Sequence, residues 1–227
     1  MELKVLSWNI WLDGDIDAVV GCINDADADI IGLQEVIPER PANVLKSLEK
    51  MGYMNVFSKV MESRNAGLDM GNAIFTKHKI LEHKTHVLSD TERRLAEQAV
   101  INIGGKIFDV FNTHLLHTHQ KYSPIQNMQI EKLISLLPRE RTIAMGDFNA
   151  TPDSDTIQKM SKVLVNTDPS NAPTWSVYPE GCKTCNPQSI DTRLDYIFVS
   201  KDLQAHSPVV MQSKASDHLP ISAVIEG

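Results

Sequence analysis

No apolar run in this chain approaches the roughly 20 residues that a bilayer-spanning helix needs, so stable membrane insertion is not expected. The N-terminus enters a strand-like pattern at once, Leu3 to Leu6, with neither the basic region nor the cleavage site of a signal peptide. A cytoplasmic protein, and a monomer, is the expectation. Basic excess is also lacking: 22 Lys and Arg stand against 29 Asp and Glu, a net charge of −7. That balance argues against gripping nucleic acid through a broad basic surface, though a local basic rim remains compatible with it. Cysteine is scarce, and its odd count of three disfavours a disulfide framework. Two of the three form Cys182-x-x-Cys185. Alone, such a pair is a weak zinc signal, because a closed structural site needs about four ligands. It reads as two loop thiols. Repeats and low-complexity linkers are absent.

What is present fits one large α/β domain over residues 1–227. The hydrophobic fraction is 42% and the charged fraction 22%, ordinary for a globular chain of this size. Strand patterns fall at Leu3–Ser7, Ile30–Leu33, Asn72–Thr76, Ala99–Ile103, Ile107–Asn112, Thr142–Gly146, Asp195–Val199, Val209–Gln212 and Ile221–Ile225. Helical faces are marked by Ile16, Val19, Val20 and Ile23, by Val44, Leu45, Leu48 and Met51, and by Ile130, Leu133, Ile134 and Leu137. A shorter helix is expected from Ser154, with Ile157 and Met160 inward. Gly104-Gly105 between two strand runs predicts a tight hairpin. Long loops are expected at Ser58–Gly71 and Thr167–Thr192. Strands outnumber helices and the helices are dispersed, which favours two packed sheets with helices outside them.

The chemistry lies where polar residues interrupt apolar runs. Asn9, Glu35, His114, and Asp147 with Asn149 each follow a strand run, whereas Asp195 and Asp217 each precede one. Acids at the ends of buried strands are costly unless a metal or an active site compensates them. If the last two strands run antiparallel to the others, all six loops meet at one rim.

In order, the chain reads Ser7-Trp8-Asn9, Leu33-Gln34-Glu35, Asn112-Thr113-His114-Leu115, Gly146-Asp147-Phe148-Asn149, Arg193-Leu194-Asp195-Tyr196-Ile197-Phe198 and Ser216-Asp217-His218. This series resembles the endonuclease/exonuclease/phosphatase (DNase I-like) superfamily. The resemblance covers residues 3 to 225, and six short motifs in the right order carry it. It implies a four-layer α/β sandwich and hydrolysis of phosphate esters with Mg²⁺ or Mn²⁺. It further implies Glu35 as metal ligand, with Asn9 and Asp217 contributing directly or through water; the hard oxygen donors suit such a cation. Asp147 would orient or deprotonate the attacking water. Asn149 would hold a phosphate oxygen or that water. His218, partnered by Asp195, and His114 would donate to phosphate oxygens. Arg94, or Arg93 beside it, and Asn72 are candidates for substrate binding. His117 and His119 read as exposed loop histidines.

Substrate is harder to read. His114 stands where apurinic endonucleases usually carry Tyr, and Thr192 where they tend to carry Trp. Ala150-Thr151-Pro152 follows the Asp147 motif, unlike the extended form of tyrosyl-DNA phosphodiesterases. The expectation is a phosphodiesterase with nucleic acid, DNA or RNA, as the leading substrate class. The alternative is a phosphatase or phosphodiesterase for a small phosphorylated metabolite or lipid headgroup. Local cations that could line a rim are Lys59, Arg64, Lys77, Lys79, Arg93, Arg94, Lys121 and Lys183.

Overall fold

The computed structural model describes residues 1–62 and 67–227. Its strands are β1 (Glu2–Asn9), β2 (Ile30–Val36), β3 (Met54–Glu62), β4 (Asp69–Thr76), β5 (Lys79–Ser89), β6 (Arg94–Ile103), β7 (Lys106–His114), β8 (Thr142–Asp147), β9 (Val165–Asn166), β10 (Asp195–Val199), β11 (Gln204–Val210) and β12 (Ile221–Glu226). The α-helices are α1 (Ile16–Ala26), α2 (Val44–Lys50), α3 (Pro124–Leu136) and α4 (Asp155–Val163).

These strands form two mixed six-stranded sheets, ordered β11-β12-β1-β2-β4-β3 and β5-β6-β7-β8-β10-β9. Each sheet is buried on both faces near its centre, which is why β8 and β10 are buried at every position. One core fills the space between the sheets, with Val5, Ile30, Ile74, Phe108, Val110, Met145 and Ile197 interdigitating. A second lies under α1 and α2, around Trp8, Val19, Ile23 and Leu48. A third lies under α3 and α4, around Phe111, Ile130, Leu133, Phe148 and Met160. The expected helix–sheet–sheet–helix sandwich is therefore the observed one. No helix among the described residues is long and apolar enough to cross a membrane.

The four α-helix starts follow directly from local chemistry. Asp15, Asn43 and Ser154 each accept a hydrogen bond from a backbone N–H in the first turn of α1, α2 and α4, and Ser123 does the same for α3. Gly104 and Gly105 turn β6 into β7 as expected, both at positive φ, with Ile103 opposite Lys106.

Several expectations need correction. The loop expected at Ser58–Gly71 is largely strand: β3 runs through Ser58 to Glu62, and β4 begins at Asp69. Arg64 lies outside the described residues. β5 carried no strand pattern because it is an edge strand with Lys79, Glu82 and Lys84 exposed, a composition that protects edges from pairing. β11 begins five residues earlier than its apolar pair suggests and ends at Val210, with a register shift between His206 and Val209. On α3, Leu137 is the C-cap and still packs against the core, and Gln126 and Gln129 are buried as well.

Glu97 on β6 is fully buried, with His83 Nε2 3.3 Å from its Oε1. Burial pushes its carboxyl up to about 7, against the pull of His83. The folded protein thus keeps a proton that the unfolded chain releases near the ordinary glutamate value. Stability is full below that value and falls as pH rises through about 7. Glu97→Gln is expected to gain on the order of 3 kcal/mol on the parent between about pH 4.5 and pH 8. Urea unfolding at both pH values reads this, and a pH-independent difference would contradict it.

Candidate active site

Strand direction assembles the site. β1 runs parallel to β2, and β7 runs parallel to β8, so Asn9 and Glu35 leave one sheet as His114 and Asp147 leave the other. β10 is antiparallel to β8 and places Asp195 opposite Asp147, while His114 pairs with Asp147 on the other side. β12 is antiparallel to β1, which brings the Ser216–His218 segment to the same edge. The condition that the six loops meet at one rim is satisfied.

Two backbone features aim the side chains. Glu35 sits at φ 61 in an irregularity of the β2–β4 ladder between Leu33 and Val36. Such bulges re-aim a side chain, and a non-glycine residue there is held by its surroundings. Gly146 has φ 145, and a Cβ at this position would collide with the Thr113 carbonyl. Only glycine lets β8 approach β7 this closely just before Asp147.

Asp147 is the hub. Its Oδ1 accepts from Asn149 N at 2.8 Å, and its Oδ2 accepts from Asn9 Nδ2 at 3.1 Å and Asn149 Nδ2 at 3.2 Å. His114 Nε2 stands 3.4 Å and His218 Nε2 3.7 Å from the same Oδ2. Burial pushes this carboxyl up to about 7, although the His218 charge and these hydrogen bonds pull the other way. The two imidazoles behave oppositely. Burial disfavours charge on both. At His218 it is overcome by Asp195, Asp147 and Asp217, which hold the ring well above the ordinary histidine range. At His114 it is reinforced by Arg94 and His218, which keep the ring neutral. His218 Nδ1 donates to Asp195 Oδ2 at 2.9 Å, and that oxygen also accepts from Thr174 Oγ1 at 2.6 Å.

Glu35 Oε1 accepts from Asn9 Nδ2 at 3.1 Å and its Oε2 from Leu12 N at 2.8 Å. Asp217 Oδ2 accepts from Trp175 Nε1 at 3.2 Å. Burial pushes Asp217 up to about 6, with the Glu35 charge adding to the rise and His218 opposing it. Two carboxylates that repel each other in a shared cleft are a fitting donor set for a hard divalent cation. Asn9 Oδ1 accepts from Trp11 N at 3.0 Å, and its amide nitrogen faces Glu35 and Asp147. In this orientation the Asn9 amide nitrogen ties the two acids together. Asp147, Asp195 and His218 also converge closely enough to hold an ion.

A cleft of about 470 Å³ opens over these groups and is lined by Asn9, Glu35, Arg93, Arg94, His114, Asp147, Asn149, Asp217 and His218, among others. Asp195 stays behind His218. Asn72 is buried on β4 with its Nδ2 unpartnered, and it is not among the lining side chains. Of the expected rim cations, Arg93, Arg94 and Lys183 line the cleft, whereas Lys59, Lys77, Lys79 and Lys121 do not.

Sequence reading passed over the residues that hold these groups in place. Thr174 and Trp175 come from the Thr167–Thr192 loop and hydrogen-bond Asp195 and Asp217. Gln126 on α3 donates to the carbonyls of Leu116 and Asn149, fixing both site loops. Trp8 Nε1 donates to the His218 carbonyl at 2.8 Å. Only Trp8 lay inside a motif; the others have no local signal.

Two packed mixed sheets with this acid–imidazole rim define a DNase I-like phosphoesterase architecture. The chain belongs to the Endonuclease/Exonuclease/phosphatase family, whose sequence profile matches residues 6–218. Members of that family are hydrolases acting on phosphate esters. Among solved structures, the fold is similar to a Bacteroides vulgatus endonuclease/exonuclease/phosphatase, with TM-score 0.81, 21% identity, and coverage of 100% of this chain and 99% of that one. It is similar to the catalytic domain of human nocturnin with bound sulfate, with TM-score 0.76, 20% identity, and coverage of 99% and 94%. Truncated Caenorhabditis elegans TDP2 follows, with TM-score 0.69, 21% identity, and coverage of 100% and 98%. No curated protein sequence matches the chain.

Proposed function

We propose that this protein is a divalent-metal-dependent phosphoesterase that hydrolyses phosphodiester bonds by in-line attack of water, with nucleic acid as its substrate class. The observation that carries the reading is one buried carboxylate, Asp147, set between a neutral and a charged imidazole beside a pair of mutually repelling acids. Asp147 accepts the proton of the attacking water, and a value near 7 suits a base at neutral pH. His218, kept protonated by Asp195, donates to a phosphate oxygen and stabilises charge developing there. His114 donates as a neutral ring, and Arg94 offers a fork to the phosphate. Glu35 and Asp217 would hold Mg²⁺ or Mn²⁺, which when bound neutralises charge on the phosphate and the leaving oxygen.

Two features favour nucleic acid. Arg93, Arg94 and Lys183 supply positive charge within the cleft of an otherwise acidic chain. Trp11, also lining the cleft, stacks on Tyr178 with centroids 5.7 Å apart, and such aromatics can receive a base. The sulfate of the nocturnin structure, a tetrahedral dianion, fits a phosphate-binding fold.

The test is a substrate panel with Mg²⁺ and with Mn²⁺: single-stranded, nicked, abasic and 5′-tyrosyl DNA, RNA, sphingomyelin, inositol phosphates and a bis-aryl phosphodiester. Turnover of a nucleic acid is expected, lost on chelation. Glu35→Ala is expected to raise the Mg²⁺ concentration for half-maximal rate by at least about tenfold, the loss of one charged ligand being worth at least 1.4 kcal/mol. Turnover confined to phosphorylated metabolites or lipid headgroups would select the alternative substrate class. No turnover of any ester by folded, metal-loaded protein would refute the assignment.

A further inference from the structure

The Cys182-x-x-Cys185 pair is not isolated in space. The loop following β7 brings His117 and His119 against it, and the four side chains converge on one point. His117 Nε2 lies 3.7 Å from Cys182 Sγ and 3.5 Å from Cys185 Sγ. His119 Nδ1 lies 3.4 Å and 3.2 Å from the same two sulfurs, and 3.0 Å from His117 Nε2. A tetrahedral zinc with Zn–N of about 2.05 Å and Zn–S of about 2.3 Å requires N···S edges of roughly 3.5 Å and an N···N edge of roughly 3.3 Å. All five of these distances agree within a few tenths of an ångström.

Second partners orient the ligand atoms. His117 Nδ1 lies 2.7 Å from Asn149 Oδ1. The oxygen can only accept, so Nδ1 carries the proton and the Nε2 lone pair faces the sulfurs. Cys185 N donates to Cys182 Sγ at 3.0 Å, a bond that favours a thiolate. Trp175 and Leu194 pack around Cys182 and shield the sulfur from water. The two sulfurs are paired with each other in this structure. That pairing and a metal use the same atoms and exclude one another. A disulfide, however, has no use for two imidazole nitrogens aimed at it.

We propose that His117, His119, Cys182 and Cys185 form a structural Zn²⁺ site in the reduced protein, separate from the catalytic cation. Binding converts two thiols to two zinc thiolates and releases two protons, with no change of oxidation state. With four protein ligands the coordination sphere is closed, so the ion does no hydrolysis. It staples the loop after β7 to the Thr167–Thr192 loop. His117, His119 and Cys182 all line the catalytic cleft, so the staple forms part of its wall. Through His117 it also fixes Asn149, which holds Asp147. This inference stands whether or not the substrate assignment does, because its readout is metal binding.

The experiment is a Co²⁺ titration of the phosphine-reduced full chain in excess Mg²⁺. A thiolate-to-cobalt charge-transfer band is expected, saturating at one equivalent and abolished by added Zn²⁺. The band is expected in Glu35→Ala and absent in His119→Ala and Cys185→Ser. In the parent protein, Zn²⁺ should protect Cys182 and Cys185, but not Cys22, from alkylation read by mass spectrometry; this measurement needs no variant to fold. Absence of the band in reduced parent protein, its persistence in both ligand variants, alkylation unchanged by Zn²⁺, or a Cys182–Cys185 bond that survives the reductant would each overturn the proposal.

Discussion

Asp147→Asn is expected to lower kcat by about 10²–10⁴-fold, the contribution of a positioned general base. The substitution conserves shape and removes proton affinity. It also turns a double acceptor into a group that must place an NH₂ near the amide donors of Asn9 or Asn149. Circular dichroism and the melting temperature therefore accompany the rates, so that loss of fold is not mistaken for loss of a base. The pH profile gives a second readout. Asp147 acts in its deprotonated form and burial raises its value to about 7. The parent kcat should rise with pH up to about 7 and then level off, and the variant should lose that limb. A folded variant keeping more than a tenth of the parent kcat would remove Asp147 from the role of base.

The second large effect is expected on stability, at a buried ion pair behind the site. Arg193 is 3% exposed, and its Nη1 meets Asp168 Oδ2 at 2.6 Å and the Ala172 carbonyl at 2.8 Å. Its Nε donates to the Asp195 carbonyl. Arg193→Ala leaves Asp168 buried without its cation, a change that costs about 3–5 kcal/mol. For a chain of this length that is a fall in melting temperature of roughly 6–20 °C. The surviving activity should fall too, because the freed segment carries Thr174 and Trp175, which hold Asp195 and Asp217. Adding Asp168→Asn to Arg193→Ala should recover part of the lost stability by removing the stranded charge. Scanning calorimetry of the two single variants and the double variant reads this. A single variant within 1 kcal/mol of the parent, about the net worth of one ordinary hydrogen bond, would show that the pair does not hold the loop.

Much of the fold was legible because central strands are buried on both faces. β8 and β10 read as unbroken apolar runs, and α1 reads as an apolar stripe of Ile16, Val19, Val20 and Ile23. The edge strands β3 and β5 were not legible. Their solvent-facing positions take polar residues, and the alternation that marks a strand is lost. In the site, Glu35, His114, Asp147, Asp195, Asp217 and His218 stood out because each carries a polar or charged group at the end of an apolar run. Asn72 sits on such a run as well and shares the intersheet face with Ile74, yet it is not among the cleft-lining residues, because an apolar run does not say which of its positions reach the rim.

The sequence alone determined which groups ionise, where the apolar runs lie, and that six polar loops punctuate them, because these are local properties of composition and spacing. Tertiary structure decided what those groups become. Three acids around His218 keep it charged, while Arg94 and burial keep His114 neutral. His117 and His119, read as loop histidines, meet Cys182 and Cys185 across more than sixty residues of chain. Electrostatic fields and coordination depend on distance in space, and only the packing of the two sheets and their loops sets that distance.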